Sequence, residues 1–283
     1  AWRNHLSGLE KVTRNEFMAA KVVTITSGKG GVGKTTNVAN IAAGLALQGQ
    51  KVVCIDGDIG LRNLDVILGL ENRIVYDLVD VIEGRCRLRQ AMIKDKKIPE
   101  LYLIPAAQTR DKNAVSPSDM IALCDQLRPE FDWIVIDCPA GIERGFRNAI
   151  APADIVLVVT NPEVSAVRDA DRIIGLIEAE EKGPGLLVLN RVNMDLVKRG
   201  DMLTADDVVD LLAIDLIGVI PEDEQVLIGS NQGVPVIMSE KSRAGQAFRN
   251  VASRLLGENV PFIDLEAKND FFGRLGRMFR SGG

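Results

Sequence analysis

This 283-residue sequence has little histidine, few aromatic residues and no long apolar run. The one histidine, His5, lies in residues 1–17, which we expect to form an N-terminal extension outside the fold, so histidine catalysis is excluded from the predicted domain. No stretch approaches the roughly 20 apolar residues that span a bilayer, and residues 1–17 lack the apolar core of a secretory signal. Because 46% of the residues are hydrophobic and 26% charged, we expect a globular protein with a sizeable core.

Cysteines are also sparse, and none of the four forms a C-x-x-C pair. They are Cys54, Cys86, Cys124 and Cys138. Disulfide scaffolding is unusual in a chain of this length, so we expect buried thiols that pack as small hydrophobes in a reducing cytosol.

Negative charge exceeds positive charge outside the C-terminal end. The net charge of −5 argues against broad coating of nucleic acid, and we expect no specific nucleic-acid partner. Residues 268–280 are the exception, because they carry four positive residues and one negative residue.

Short apolar runs rich in β-branched residues alternate with helical patterns along the chain. Seven runs are predicted strands, at 21–26, 51–56, 101–105, 133–137, 154–160, 185–190 and 215–220. Most are continuously apolar, which is typical of strands covered on both faces. Helices are predicted at 35–49, with Gly49 as a C-cap, and at 165–183. The pattern predicts an α/β fold with a doubly wound, mostly parallel sheet over about 18–260, followed by a polar tether at 261–270 and a tail at 271–283.

The strongest motif is SGKGGVGKTT at 27–36, which follows a predicted strand and opens a predicted helix. It contains the pattern G-x-x-x-x-G-K-T of a P-loop, in which backbone N–H groups and a helix N-terminus surround phosphate oxygens. Lys34 would neutralise the β and γ phosphates, and the Thr35 hydroxyl would bind Mg²⁺. The predicted phosphate-binding residues are Gly28, Lys29, Gly30, Gly31, Val32, Gly33, Lys34, Thr35 and Thr36.

Two acidic motifs follow strands of the same predicted sheet. They are DGDIGLRNLD at 56–65 and IVIDCPAGIE at 134–143. Ligands of parallel sheets bind at the carboxyl ends of the strands, so carboxylates there would hold Mg²⁺ or its waters, or orient an attacking water. A single Asp in either motif is equally typical of a turn or a cap.

The second lysine of the loop, Lys29, gives the sequence K-G-G-x-G-K-T-T. This resembles the deviant Walker A motif of the ParA/MinD family of dimerising ATPases, which have a P-loop NTPase fold of the SIMIBI type. The resemblance implies a homodimer that sandwiches ATP and Mg²⁺, with Lys29 acting in trans beside Lys34. It also implies that Asp58 positions the water and that Asp137 is the Walker B aspartate, with Asp56 close to the metal. The positions that match adenine contacts are Asn190, Arg191, Pro221, Glu222 and Asp223.

Three longer stretches, at 56–82, 137–150 and 160–175, resemble the division-site-selection branch of this family more than its chromosome-partitioning branch. That resemblance implies recruitment of the regulator MinC to inhibit division-ring assembly, and release by MinE-stimulated hydrolysis. Ser165, Asp169 and Asp171 match positions implicated in regulator binding. They are equally compatible with an N-cap and a solvated helix face.

The tail sequence FFGRLGRMFR, at 271–280, predicts an amphipathic membrane-targeting helix. One side would present Phe271, Phe272, Leu275, Met278 and Phe279, and the other Arg274, Arg277 and Arg280. Two glycines and the short length predict a helix that forms only at an interface with anionic lipid. One copy would bind weakly and two in a dimer tightly, so we expect a cytoplasmic protein that is peripheral on the inner face of the cell membrane in the ATP state.

Three alternatives remain open at this point. The first is a DNA-segregating ATPase like ParA, and the second is a flagellar-placement ATPase of the same family with a similar tail. The third is a redox enzyme like the nitrogenase iron protein, which the position of Cys138 beside Asp137 suggests.

Overall fold

The computed structural model describes residues 20–110 and 114–265. An eight-stranded sheet runs through its centre in the order β3-β4-β2-β5-β1-β6-β7-β8. The strands are β1 (Lys21–Thr26), β2 (Val52–Asp56), β3 (Ile93–Lys94), β4 (Leu101–Ile104), β5 (Trp133–Asp137), β6 (Ile155–Thr160), β7 (Leu186–Val192) and β8 (Asp215–Pro221). All neighbouring strands are parallel except β3 and β4. The predicted doubly wound α/β fold is confirmed.

Helices cover both faces of this sheet. They are α1 (Lys34–Leu47), α2 (Leu64–Leu68), α3 (Leu78–Ile82), α4 (Leu88–Ala91), α5 (Pro117–Leu127), α6 (Arg144–Ile150), α7 (Val164–Ala179), α8 (Met194–Arg199), α9 (Ala205–Leu212), α10 (Glu224–Asn231) and α11 (Arg243–Leu255). The C-cap of α1 is Gln48, one residue before the predicted Gly49, and Gly49 follows it with φ of 85° and donates its N–H to the carbonyl of Ala46.

Side chains alternate between two cores, one on each face of the sheet. In β5, Ile134 and Ile136 pack into the core beneath α5, α6, α7 and α9, whereas Trp133 and Val135 pack into the core beneath α1 and α11. This alternation explains why the strand sequences are continuously apolar, since both faces of each central strand are buried.

The shortest strand and helices were not predicted from the sequence. The two-residue edge strand β3 and the helices α2, α3 and α4, each of four or five residues, are too short to show a hydrophobic period. The expectation of four buried cysteines is wrong at Cys86, which is partly exposed, whereas Cys54, Cys124 and Cys138 are buried. Within the described ranges, no helix is both long and apolar enough to cross a membrane.

Residues 260–265, which we call the C-terminal strap, lie against the domain. Asn250 Nδ2 donates to the carbonyl of Pro261 at 3.1 Å, and the side chains of Phe262, Ile263 and Leu265 pack against the two cores. The first half of the segment predicted as a tether is therefore docked on the fold. The predicted extension at 1–17, the rest of the tether and all the predicted membrane residues lie outside the described ranges.

Candidate nucleotide-binding site

The predicted phosphate and acidic motifs meet at the carboxyl edge of the sheet. β1, which precedes the P-loop, lies between β5 and β6, and β2 lies on the other side of β5. Asp56 and Asp137, the last residues of β2 and β5, are direct partners in the ladder. The sheet order thus places two acidic strand ends and the phosphate loop side by side.

The P-loop turns on two glycines in the left-handed region. Gly31 has φ of 80° and Gly33 has φ of 95°, and Gly33 is the N-cap of α1 without any side-chain cap. Such a conformation directs consecutive backbone N–H groups inward, as anion-binding loops require. The loop fits a phosphate chain, because the helix N-terminus offers uncapped N–H groups at the same place.

Gly28 is required for a different reason, which is close packing against α7. A Cβ at this position would lie 2.2 Å from the backbone carbonyl carbon and oxygen of Asp169. The start of the P-loop therefore rests directly on the backbone of α7, and a larger residue would push the two apart.

Lys34 is buried and ion-paired inside the site. Its Nζ lies 3.2 Å from Asp137 Oδ1, and the two side chains are 8% and 1% exposed. Burial disfavours the ammonium, but Asp137 and neighbouring groups outweigh it, so the pKa of Lys34 lies above its ordinary value. Burial raises the pKa of Asp137 above its usual value, and Lys34 and Thr35 oppose this shift only in part.

Asp56 organises the loop that carries Asp58. Its Oδ1 accepts the N–H of Asp58 at 3.0 Å, and its Oδ2 accepts the N–H groups of Asn63 and Leu64, both at 3.3 Å. Burial and the negative charge of Asp137 raise the pKa of Asp56 to about 7. Two buried carboxylates side by side fit a divalent cation, which would offset their mutual repulsion.

Asp58 itself is half-buried and borders a cavity of about 470 Å³. The walls of this cavity include Gly57, Pro139 and Phe146, and no residue of the P-loop lines it. A side chain at this position has room beside it for water, whereas Asp56 has both oxygens engaged.

Lys29 points away from the buried pair. It is exposed, and its Nζ lies 3.4 Å from Ser165 Oγ on α7. Ser165 and Asp171 are exposed, and Asp169 lies 3.7 Å from Arg172 Nη1 through Oδ1. The predicted regulator positions thus form one stretch of α7 beside Lys29 rather than part of the buried site.

Two residues predicted to contact adenine lie near the end of β7, and they differ in exposure. Asn190 is buried, and its Nδ2 donates to the carbonyl of Val32 in the P-loop at 2.7 Å. Arg191 is exposed with φ of 55°, at an irregularity in the pairing of β7 with β8. Asn190 therefore braces the phosphate loop, which its position in the sequence did not indicate.

The predicted base residues after β8 have structural roles. Asp223 Oδ2 accepts from Ser242 Oγ at 2.7 Å and from the N–H of Ala244 at 3.2 Å, while Oδ1 accepts the N–H of Gln225 at 2.9 Å. Burial alone would raise the pKa of Asp223, but these hydrogen bonds hold it below its usual value. Glu222 Oε2 accepts from Asn193 Nδ2 at 2.8 Å.

Sequence reasoning missed Asn161 at the end of β6. Its amide is buried and lies 3.2 Å from the carbonyl oxygen of Val32 and 3.3 Å from that of Asn190, with the amide nitrogen facing both. The position directly after a predicted strand was the available signal. Cys138, which suggested the redox alternative, is buried, and burial raises the pKa of its thiol to about 12.

The strand–loop–helix geometry and the acidic strand ends place the chain among the P-loop nucleoside triphosphatases. A family model described as an AAA domain matches residues 20–183. The chain is 55% identical over 251 residues to the septum site-determining protein MinD of Bacillus subtilis (strain 168), an alignment that covers 88% of this chain and 94% of that protein.

Solved structures agree with this comparison. The MinC:MinD cell division protein complex of Aquifex aeolicus matches with a TM-score of 0.81 and 47% identity, covering 87% of this chain and 99% of that one. MinD of Pyrococcus horikoshii OT3, complexed with Mg-ADP, matches with a TM-score of 0.76 and 28% identity, covering 85% and 100%. The chain belongs to the MinD family of septum site-determining ATPases.

Proposed function

We propose that the chain hydrolyses ATP with Mg²⁺ as a nucleotide-sandwich homodimer whose membrane attachment depends on ATP. The observation that carries this proposal is the contrast between the two lysines of the P-loop. Lys34 is buried against Asp137, whereas Lys29 is exposed and directed to the surface of α7. A lysine of the phosphate loop that is not aimed at its own site is free to reach the phosphates of a second subunit.

Within one subunit, the residues at the carboxyl edge of the sheet have separate roles in binding and hydrolysis. The loop backbone from Gly28 to Gly33 binds phosphate oxygens, and Lys34 neutralises their charge. Thr35, Asp56 and Asp137 would hold Mg²⁺, which supplies further neutralisation of the phosphates. Asp58, beside its cavity, orients the attacking water.

Exposed apolar side chains surround this edge and support dimer formation through it. Leu61, Ile142 and Val164 follow β2, β5 and β6, and they are 61%, 57% and 65% exposed. Because β5 and β6 neighbour β1 and β2 neighbours β5, the three side chains lie on segments near the P-loop. Burying them together with the nucleotide would couple ATP binding to dimerisation.

The tail gives the dimer its proposed membrane affinity. Phe271, Phe272, Leu275, Met278 and Phe279 would enter the interface, and the three arginines would contact anionic lipid at about 1 kcal/mol each. Two tails held in one dimer would gain about 10²–10⁴ in avidity over one. The protein would then be cytoplasmic without ATP and peripheral on the inner membrane face with ATP.

Regulators would act on α7. The Aquifex aeolicus relative forms a complex with MinC, and we infer the same partner for this chain, with MinE as the activator that its resemblance implies. Ser165, Asp169 and Asp171 would contribute to that surface. The packing of Gly28 on the backbone of Asp169 gives such a partner a direct route to the P-loop.

Sedimentation with anionic vesicles in ATP and in ADP tests this function. The parent protein should sediment with ATP and remain in solution with ADP. Phe272→Asp should lose sedimentation yet still dimerise with ATP, measured by analytical ultracentrifugation. Lys29→Ala should lose both dimerisation and hydrolysis, because the partner's phosphates lose their trans lysine.

Lys96→Ala is the matched control, since Lys96 is also an exposed lysine but lies far along the chain from the P-loop. It should behave as the parent in all three assays. Normal ATP turnover and dimer formation in Lys29→Ala would exclude action in trans, and ATP-dependent sedimentation of Phe272→Asp would exclude the tail as the membrane anchor.

A further inference from the structure

The C-terminal strap runs along α11 toward the nucleotide edge of the sheet. Arg254 Nε donates to the carbonyl of Val260 at 2.9 Å, Asn250 Nδ2 to that of Pro261, and Arg243 Nη2 to that of Asp264. Later residues of the strap contact earlier residues of α11. The strap is therefore antiparallel to α11 and returns the chain to the end of the sheet where the P-loop lies.

Arg254 holds the first residue of this strap, Val260. It is among the largest fully buried side chains, and Nη1 also donates to the carbonyl of Ile217 in β8 at 2.8 Å. Its guanidinium lies 4.0 Å above the ring of Phe262, and burial lowers its pKa to about 10. Carbonyl oxygens and an aromatic ring, rather than a carboxylate, hold this charge among the described residues, so its position depends on the strap being docked.

The far end of the strap meets the loop that we predict to contact the base. Leu265 and Arg243 line a cavity of about 300 Å³ together with Pro221 and Glu222. The same loop is tied to the start of α11 through Asp223, which accepts from Ser242 Oγ and from the N–H of Ala244. One continuous set of contacts thus joins Phe262 and Arg254 to the loop at 221–223.

We infer that the C-terminal strap positions the base-binding loop, with Phe262 and Arg254 as positioning residues, so that strap docking and nucleotide binding strengthen each other. The inference rests on the proposed nucleotide site. A docked strap holds Arg243 and Leu265 in the wall of the cavity and lowers the cost of ordering the loop. Linkage is reciprocal, so a bound nucleotide must also hold the strap. The root of the tail would then respond to nucleotide in each single subunit.

Nucleotide affinity and hydrogen exchange of the full chain test this without lipid. Phe262→Ala should raise the Kd for Mg-ADP and Mg-ATP by about fivefold or more, measured by calorimetry, and should speed amide exchange in 262–265. In the parent, nucleotide should slow exchange of the same amides. Asn259→Ala, an exposed neighbour of the strap, should leave the Kd unchanged.

Phe262→Leu, which keeps an apolar side chain but removes the ring beneath Arg254, is the second variant if Phe262→Ala does not fold. It should raise the Kd in the same direction by a smaller factor. Faster strap exchange with an unchanged Kd would overturn the inference, as would parent exchange rates that do not respond to nucleotide. A parent that binds no nucleotide would overturn the proposed function and this inference with it.

Discussion

The two ends of the candidate site are built in opposite ways. The phosphate end is one continuous loop, Gly28–Thr36, in which backbone conformation and one buried ion pair make the site. The proposed base end is assembled from separate segments, at the end of β7, after β8 and at the start of α11, and the carboxylate of Asp223 is engaged in capping helices. A phosphate chain can be bound by one contiguous loop, whereas a base is bound by segments that only the tertiary fold brings together.

This contrast predicts that single substitutions act sharply at the phosphate end and mildly at the base end. The largest effect is expected for Lys34→Met, which removes a buried charge-assisted contact worth about 1.5–3 kcal/mol and leaves Asp137 without its partner. ATP affinity should fall by about 100-fold, which corresponds to nearly 3 kcal/mol, measured by calorimetry. Lys29→Met is the control from the same loop, and it should bind ATP as a monomer within about threefold of the parent.

Equal losses of monomer affinity in the two lysine variants would contradict the distinction between them. Such a result would mean that Lys29 contacts the phosphates of the nucleotide bound to its own subunit.

An intermediate effect is expected for Gly28→Ala, because a Cβ there would overlap the backbone of Asp169. Backbone cannot move aside as a flexible side chain can, so the free energy of unfolding should fall by about 1–3 kcal/mol. Urea unfolding measures this. In Gly30→Ala the new Cβ meets nothing within 4 Å, and stability should change by less than about 0.5 kcal/mol. If the two variants are equally stable, α7 does not fix the position of the loop.

The smallest effect is expected for Asn190→Ala, at the point where the two ends touch. The substitution removes the 2.7 Å hydrogen bond to the carbonyl of Val32. Stability should fall by about 1 kcal/mol, since water cannot readily replace the buried donor. Arg191→Ala, at an exposed neighbour, should leave stability unchanged. A larger loss at Arg191 than at Asn190 would reverse the assigned roles.

The same contrast explains what could be predicted from the sequence. The P-loop and the strand before it are recognisable because their signals are contiguous: an apolar run, then glycines, then a lysine. Asp137 is recognisable because it ends another apolar run, which is β5. Asp56 was placed correctly at a strand end, but its three backbone hydrogen bonds arise from a loop that folds back on it. No local sequence pattern indicates that this loop folds back onto Asp56.

The strap and the bracing asparagines show the same limit. Nothing in the sequence distinguishes Arg254 from other charged residues, yet it is buried because residues 260–262 pack over it. Asn161 and Asn190 contact Val32 across more than a hundred residues of sequence. Such contacts depend on strand order, and strand order was not available from the sequence.

The contact of Gly28 with α7 has a consequence for how this surface can diversify. The contact is made by the backbone carbonyl of Asp169, not by its side chain. Residues on the exposed side of α7 can therefore be exchanged, and new binding partners acquired, without disturbing the phosphate loop a few ångströms below. Position 28 remains restricted to glycine while the helix that rests on it is open to change.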